Sequence, residues 1–143
     1  MEAKSKEEIE MAQITQDMKD MIAKQLAYIA TVDTDGNPDV GPKMTMRLYD
    51  DSHLIYDEFT AKQTMKNIEA TGKAAVAYVD RKAFKGFRFS GKAEIHTSGP
   101  YVDAEQAYQQ QTNPKASVQQ VGVIDIDEIH LLDIGPKAGT RIE

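Results

Sequence analysis

A chain of 143 residues is long enough to bury one hydrophobic core and too short for separate catalytic and cofactor domains. With 41% hydrophobic and 28% charged residues it reads as an ordinary folded protein, and its net charge of −6 argues against nucleic acid as a partner. No cysteine is present, which excludes disulfides, thiolate metal sites, iron–sulfur clusters and cysteine nucleophiles, so redox chemistry would need a bound cofactor.

No apolar run approaches the length of a bilayer span. Met1 to Glu10 mixes Lys4 and Lys6 with Glu2, Glu7, Glu8 and Glu10, lacks the apolar stretch of a secretory signal, and predicts a cytoplasmic address. Residues 1–12 read as a flexible N-terminal segment and residues 13–143 as one domain. Met11 to Gln25 carries Ile14, Met18, Met21 and Ile22 at helical spacing, with Thr15 as N-cap and Asp17 in the first turn. Leu26 to Val32 alternates as a strand does, and Asp33-Thr34-Asp35-Gly36-Asn37 supplies a hairpin turn before Pro38. The returning strand is expected over Val40 to Tyr49, with Met44, Met46 and Leu48 on one face and Lys43, Thr45 and Arg47 on the other.

A third strand is predicted from His53 to Tyr56, then a helix over Ala61 to Ala70 stopped by Thr71-Gly72, then a strand from Lys73 to Asp80. Gly86 to Thr97 places Phe87, Phe89, Gly91, Ala93 and Ile95 on one face of a long half-buried strand. Tyr101 to Gln111 is a polar helix ended by Thr112-Asn113-Pro114, and Val118 to Leu132 is a last strand, bent near Asp127-Glu128. Gly135 to Gly139 reads as loop. Six strands in mostly antiparallel order with helices outside point to a closed or partly closed barrel.

Charge is unevenly spread. Residues 41–92 hold ten Lys/Arg against six Asp/Glu, while the remainder holds seven against seventeen. A basic middle in an acidic chain suggests a focused site for a small anion. Thr60-Ala61-Lys62-Gln63 fits a capping box, so a helix is expected to start at Thr60. Lys62 and Lys66 then sit beside the positive end of the helix dipole, where a bound anion would relieve the conflict. Lys43 and Arg47 are candidates to approach from a neighbouring strand. The bland alternative is that all four cations solvate exposed faces. The three histidines, His53, His96 and His130, form no spaced ligand pair, and no metal site is expected.

From Leu26 to Tyr101 the chain resembles the pyridoxamine phosphate oxidase-like family of FMN-binding split barrels. The stretches that carry the resemblance are Ala30 to Pro38, Val40-Gly41-Pro42-Lys43, Gln63-Thr64-Met65-Lys66-Asn67-Ile68 and Phe89 to Ile95, in that order and spacing. The resemblance implies a mainly β fold, a six-stranded antiparallel split β-barrel with peripheral helices, and a homodimer with FMN at the interface. By that resemblance Lys43, Arg47, Thr60, Gln63 and Thr64 hold the phosphate, with Lys62 or Lys66 taking weight from Gln63. Met44 and Thr45 lie beneath or beside the flavin ring, and Glu58 and Phe59 at its edge. Phe87, Phe89, Tyr101 and Tyr108 are candidates for the dimer interface, and equally for ordinary core.

The implied function is an FMN-dependent oxidoreductase passing electrons from NADH or NADPH to a small acceptor. One alternative is a non-catalytic FMN carrier, and a second is a split barrel that binds haem or a deazaflavin. The carboxyl-terminal Arg and His pair that grips substrate in true pyridoxamine phosphate oxidation is not evident in Gly135 to Arg141, so that reaction is not expected. No catalytic acid, base or nucleophile stands out in the sequence.

Overall fold

A computed structural model describes residues 13–142; the expected flexible segment over residues 1–12 lies outside the described residues. The first described helix, α1, spans Gln16–Lys24. It starts later than the periodicity suggests because Thr15 caps it: Thr15 Oγ1 accepts from the Met18 N–H at 3.3 Å, and Met18 Sδ accepts from the Thr15 N–H at 3.4 Å. Met18 and Ile22 then point into the core.

Strands β1 (Ala27–Val32) and β2 (Pro38–Lys43) form the expected hairpin. Asp33 stabilises its turn by accepting from the backbone N–H groups of Asn37 at 2.8 Å and Asp35 at 2.9 Å. The long return strand does not run on to Tyr49. Residues 44–46 turn, with the Met46 N–H donating to the Lys43 carbonyl at 3.2 Å, and β3 (Arg47–Asp50) begins afresh. The expected one-face grouping of Met44 with Met46 fails for that reason: Met44 is 84% exposed while Met46 is buried.

β4 (His53–Asp57) follows, then helix α2 (Gln63–Thr71), closed by Gly72 in the left-handed conformation at φ 66°, where a side chain would be strained. β5 (Lys73–Asp80), β6 (Lys85–His96), helix α3 (Pro100–Gln110) and β7 (Val121–Leu131) complete the body. The tail read as loop also contributes a two-residue strand, β8 (Arg141–Ile142), on β7. All pairings are antiparallel, in the order β2-β1-β5-β6-β7-β4-β3. The two end strands are consecutive in the chain but not paired with each other. Residues 44–46 alone carry the chain between them, so this is a split β-barrel.

The alternation within each strand builds the core. Ile29, Val76, Phe89 and Ile129 stand in one cross-strand row over four strands, and each is fully buried. Each such side chain contributes roughly 1.5–3 kcal/mol by leaving water. The expected bend near Asp127 is a bulge: β7 gains one residue opposite Ser90 and Gly91. Gly91 is required there, since a Cβ would collide with the Asp125 carbonyl oxygen.

Candidate functional site

The capping box at Thr60 does not form. Ala61 sits in the left-handed region at φ 51°, which breaks the helical run, and α2 starts at Gln63 with Lys62 in the N-cap position and no side-chain cap. No acidic residue lies in its first turn. Among the described residues its leading N–H groups therefore have no side-chain acceptor, and Lys62, Gln63 and Lys66 around them are exposed. The helix itself is held firmly. Asn67 is buried, accepting from Gln63 Nε2 at 2.6 Å and donating to Thr31 Oγ1 at 3.0 Å, and Thr71 Oγ1 donates to the Val32 carbonyl at 3.0 Å. Thr64 is buried and donates to Asp39 Oδ2 at 3.4 Å, which brings the edge of β2 to this helix start.

The two strand cations are turned inward to carboxylates. Lys43 Nζ lies 3.3 Å from Glu58 Oε2, and the Glu58 side chain is fully buried. Glu58 also accepts from the Tyr56 hydroxyl at 3.3 Å, while its backbone exchanges hydrogen bonds with Gln120. The Lys43 ammonium stands 5.1 Å from the Tyr56 ring centre. Burial, then the Glu58 charge and hydrogen bond, push the Tyr56 phenol well above its ordinary range, so it remains a donor. Glu58, expected at a ring edge, is thus the buried counterion of Lys43.

Arg47 Nη2 meets Glu105 Oε2 at 2.8 Å, and its guanidinium stacks 3.9 Å from the Tyr108 ring centre. Glu105 is fully buried, so this pair fastens α3 to β3. Arg47, Met44, Glu105 and Tyr108, with Ile22 and Met46, line a cleft of about 570 Å³. Thr45 borders the same cleft and accepts from the Asp57 N–H at 2.9 Å.

The ten expected residues therefore fall into distinct surroundings. Thr60, Lys62, Gln63 and Thr64 lie at the start of α2, Lys43 with Glu58 in an internal ion pair, and Met44, Thr45 and Arg47 at the cleft. Phe59 is 86% exposed. Of the aromatic interface candidates, Phe87 and Phe89 are core, Tyr101 packs on Tyr49 and His96, and Tyr108 carries Arg47. Sequence reasoning missed Tyr56, Glu105 and Asp39. Nothing local marks Glu105 as a counterion, because its partner lies 58 positions away in the chain.

The sequence model of the family described as pyridoxamine 5'-phosphate oxidase matches residues 14–133. Among solved structures, HupZ of Group A Streptococcus is 47% identical with a TM-score of 0.80, covering 88% of this chain and 99% of that one. A candidate pyridoxamine 5'-phosphate oxidase from Lactobacillus delbrueckii is 31% identical, with a TM-score of 0.68 and coverage of 82% and 93%. An FMN-binding protein from Syntrophomonas wolfei is 18% identical, with a TM-score of 0.68 and coverage of 82% and 84%, a likeness of fold alone.

Proposed function

The chain belongs to the pyridoxamine 5'-phosphate oxidase family, and from that premise we propose that it binds FMN with the phosphate at the start of α2. One observation carries this reading: a helix N-terminus without side-chain cap or first-turn acid, flanked by exposed Lys62 and Lys66. Free N–H groups, the helix dipole and two cations together suit a phosphate dianion. Lys62, Gln63 and Thr64 are the phosphate-holding set in this proposal, with Thr60 on the approach. Lys43 and Arg47 shape the walls through Glu58 and Glu105 and leave most of the phosphate charge to α2. Exposed Phe59 and Met44 offer apolar surface for a flavin ring.

Bound FMN would supply the redox chemistry that a chain without cysteine lacks. NADH or NADPH as donor, and a small acceptor, extend the proposal. So does a homodimer, supported by the exposed apolar side chains of Val40, Met44 and Phe59. A cytoplasmic address is part of the same reading; among the described residues no helix is long and apolar enough to cross a membrane.

The test is titration of the protein with FMN and, in parallel, riboflavin, following flavin fluorescence and melting temperature. Quenching and thermal stabilisation by FMN, with riboflavin binding at least about tenfold weaker, are expected. Absence of both quenching and a melting shift with FMN overturns the reading. Anaerobic mixing of the loaded protein with NADH and NADPH then separates an oxidoreductase, whose flavin bleaches, from a carrier. A second reading, carried over from the family resemblance, is haem in place of flavin, with one of His53, His96 or His130 as axial ligand. A saturable Soret shift on adding hemin, without FMN binding, would select it.

A further inference from the structure

The outer face of the sheet, away from α2, carries an arrangement that the proposed flavin site does not use. Arg88 on β6 is the register partner of His130 on β7, and His130 is in turn the partner of Arg141 on β8. Their strand neighbours Phe87, Phe89 and Ile129 are buried in the core, so all three occupy the opposite face. Two arginines and a histidine thus stand in one cross-strand row, in a chain whose net charge is −6. Arg88 and Arg141 flank His130 from either side, so an anion placed over the row would be attracted to both guanidinium groups.

Two further observations point to a ligand. Arg88 is half-buried, yet among the described residues it has no carboxylate or hydrogen-bond partner. Among the described residues His130 Nδ1 is buried and has no hydrogen-bond partner. Leaving such a group unsatisfied is unfavourable. The available carboxylate, Glu128, is 3.6 Å from Arg141 and belongs to the next row, opposite Ser90. In the other direction the row continues through Ala77 on β5 to Tyr28 on β1, which is 49% exposed. At the usual strand spacing the Tyr28 backbone stands roughly 10 Å from that of Arg88, the reach of a small aromatic acid.

We propose that Arg88 and His130, flanked by Arg141, form an anion site for the carboxylate of a small organic acid whose apolar body lies toward Ala77 and Tyr28. The site is distinct from the flavin site and does not depend on it. Benzoate is the probe, with cyclohexylmethanol as a control of similar bulk and no charge, followed by ¹H–¹⁵N spectra and the His130 ring resonances. Saturable shifts at Arg88, His130 and Tyr28 with benzoate alone are expected. Arg88→Gln should weaken that binding at least about tenfold and leave both the fold and FMN binding intact. His130→Gln, which keeps a donor of similar size, gives an independent variant if Arg88→Gln is unstable. Equal shifts with the alcohol, or unchanged benzoate affinity in both variants, overturn the proposal. So does absence of benzoate binding together with conversion of a dimer to monomer by Arg88→Gln, which would assign the row to contact between two copies of the chain.

Discussion

Removing the amine of Lys43 tests how the region next to the proposed flavin site is held together. Its side chain is 12% exposed and that of Glu58 fully buried, with 3.3 Å between them. Lys43→Met keeps the aliphatic stem and leaves the Glu58 carboxylate in the interior with, among the described residues, only the Tyr56 hydroxyl as donor. Breaking a buried pair from one side costs about 3–5 kcal/mol, because the surviving charge keeps its desolvation penalty and loses its attraction. For a chain of this size that corresponds to a fall of roughly 10–15 °C in melting temperature. The double variant Lys43→Met/Glu58→Gln removes both charges while retaining an acceptor for Tyr56, so it should recover to within about 1–2 kcal/mol of the parent. Urea denaturation of the four proteins at pH 7 gives the coupling as a double-mutant cycle. A loss below about 1 kcal/mol for Lys43→Met, or a double variant no more stable than the single, would refute the internal pairing and release Lys43 as a phosphate ligand.

Three other outcomes follow from the same geometry. Gly91→Ala should destabilise by at least about 3 kcal/mol in urea denaturation, since its methyl would strike the backbone of Asp125 at the bulge, where no side chain can yield. Thr15→Ala should cost about 1 kcal/mol by removing the acceptor for the Met18 N–H, read as loss of α1 helicity and of melting temperature. Burial, then the Asp125 and Glu128 charges, raise the Asp127 carboxyl above its usual range. A raised carboxyl opposes folding while ionised, and that cost disappears as pH falls through its folded-state value. Asp127→Asn should therefore stabilise at pH 7, by no more than about 0.5 kcal/mol because Asp127 is exposed and water screens it, with the difference vanishing in acid.

Elements whose signals lie within a few residues were legible. The strand Lys73 to Asp80 and the Gly72 helix stop match the structure, and the Thr15 cap works as the sequence suggested. The motif at Thr60 misled for an equally local reason: a capping box requires helical backbone after its first residue, and Ala61 turns left-handed instead. The break at residues 44–46 was hidden because Lys43 to Leu48 alternates as a continuous strand would. The barrel needs a corner there, since one chain segment must serve both unpaired edges of the sheet.

By itself, the sequence determined the alternating faces that fill the barrel, the antiparallel order of its strands, the family likeness and the concentration of cations in its middle, all of which are written in neighbouring residues. Tertiary structure alone decided where those cations point. Lys43 found Glu58 fifteen positions on, Arg47 found Glu105 fifty-eight on, and Arg88 came level with His130 only through strand register. Charges act through space, and the distances that set their partners exist only once the sheet has closed.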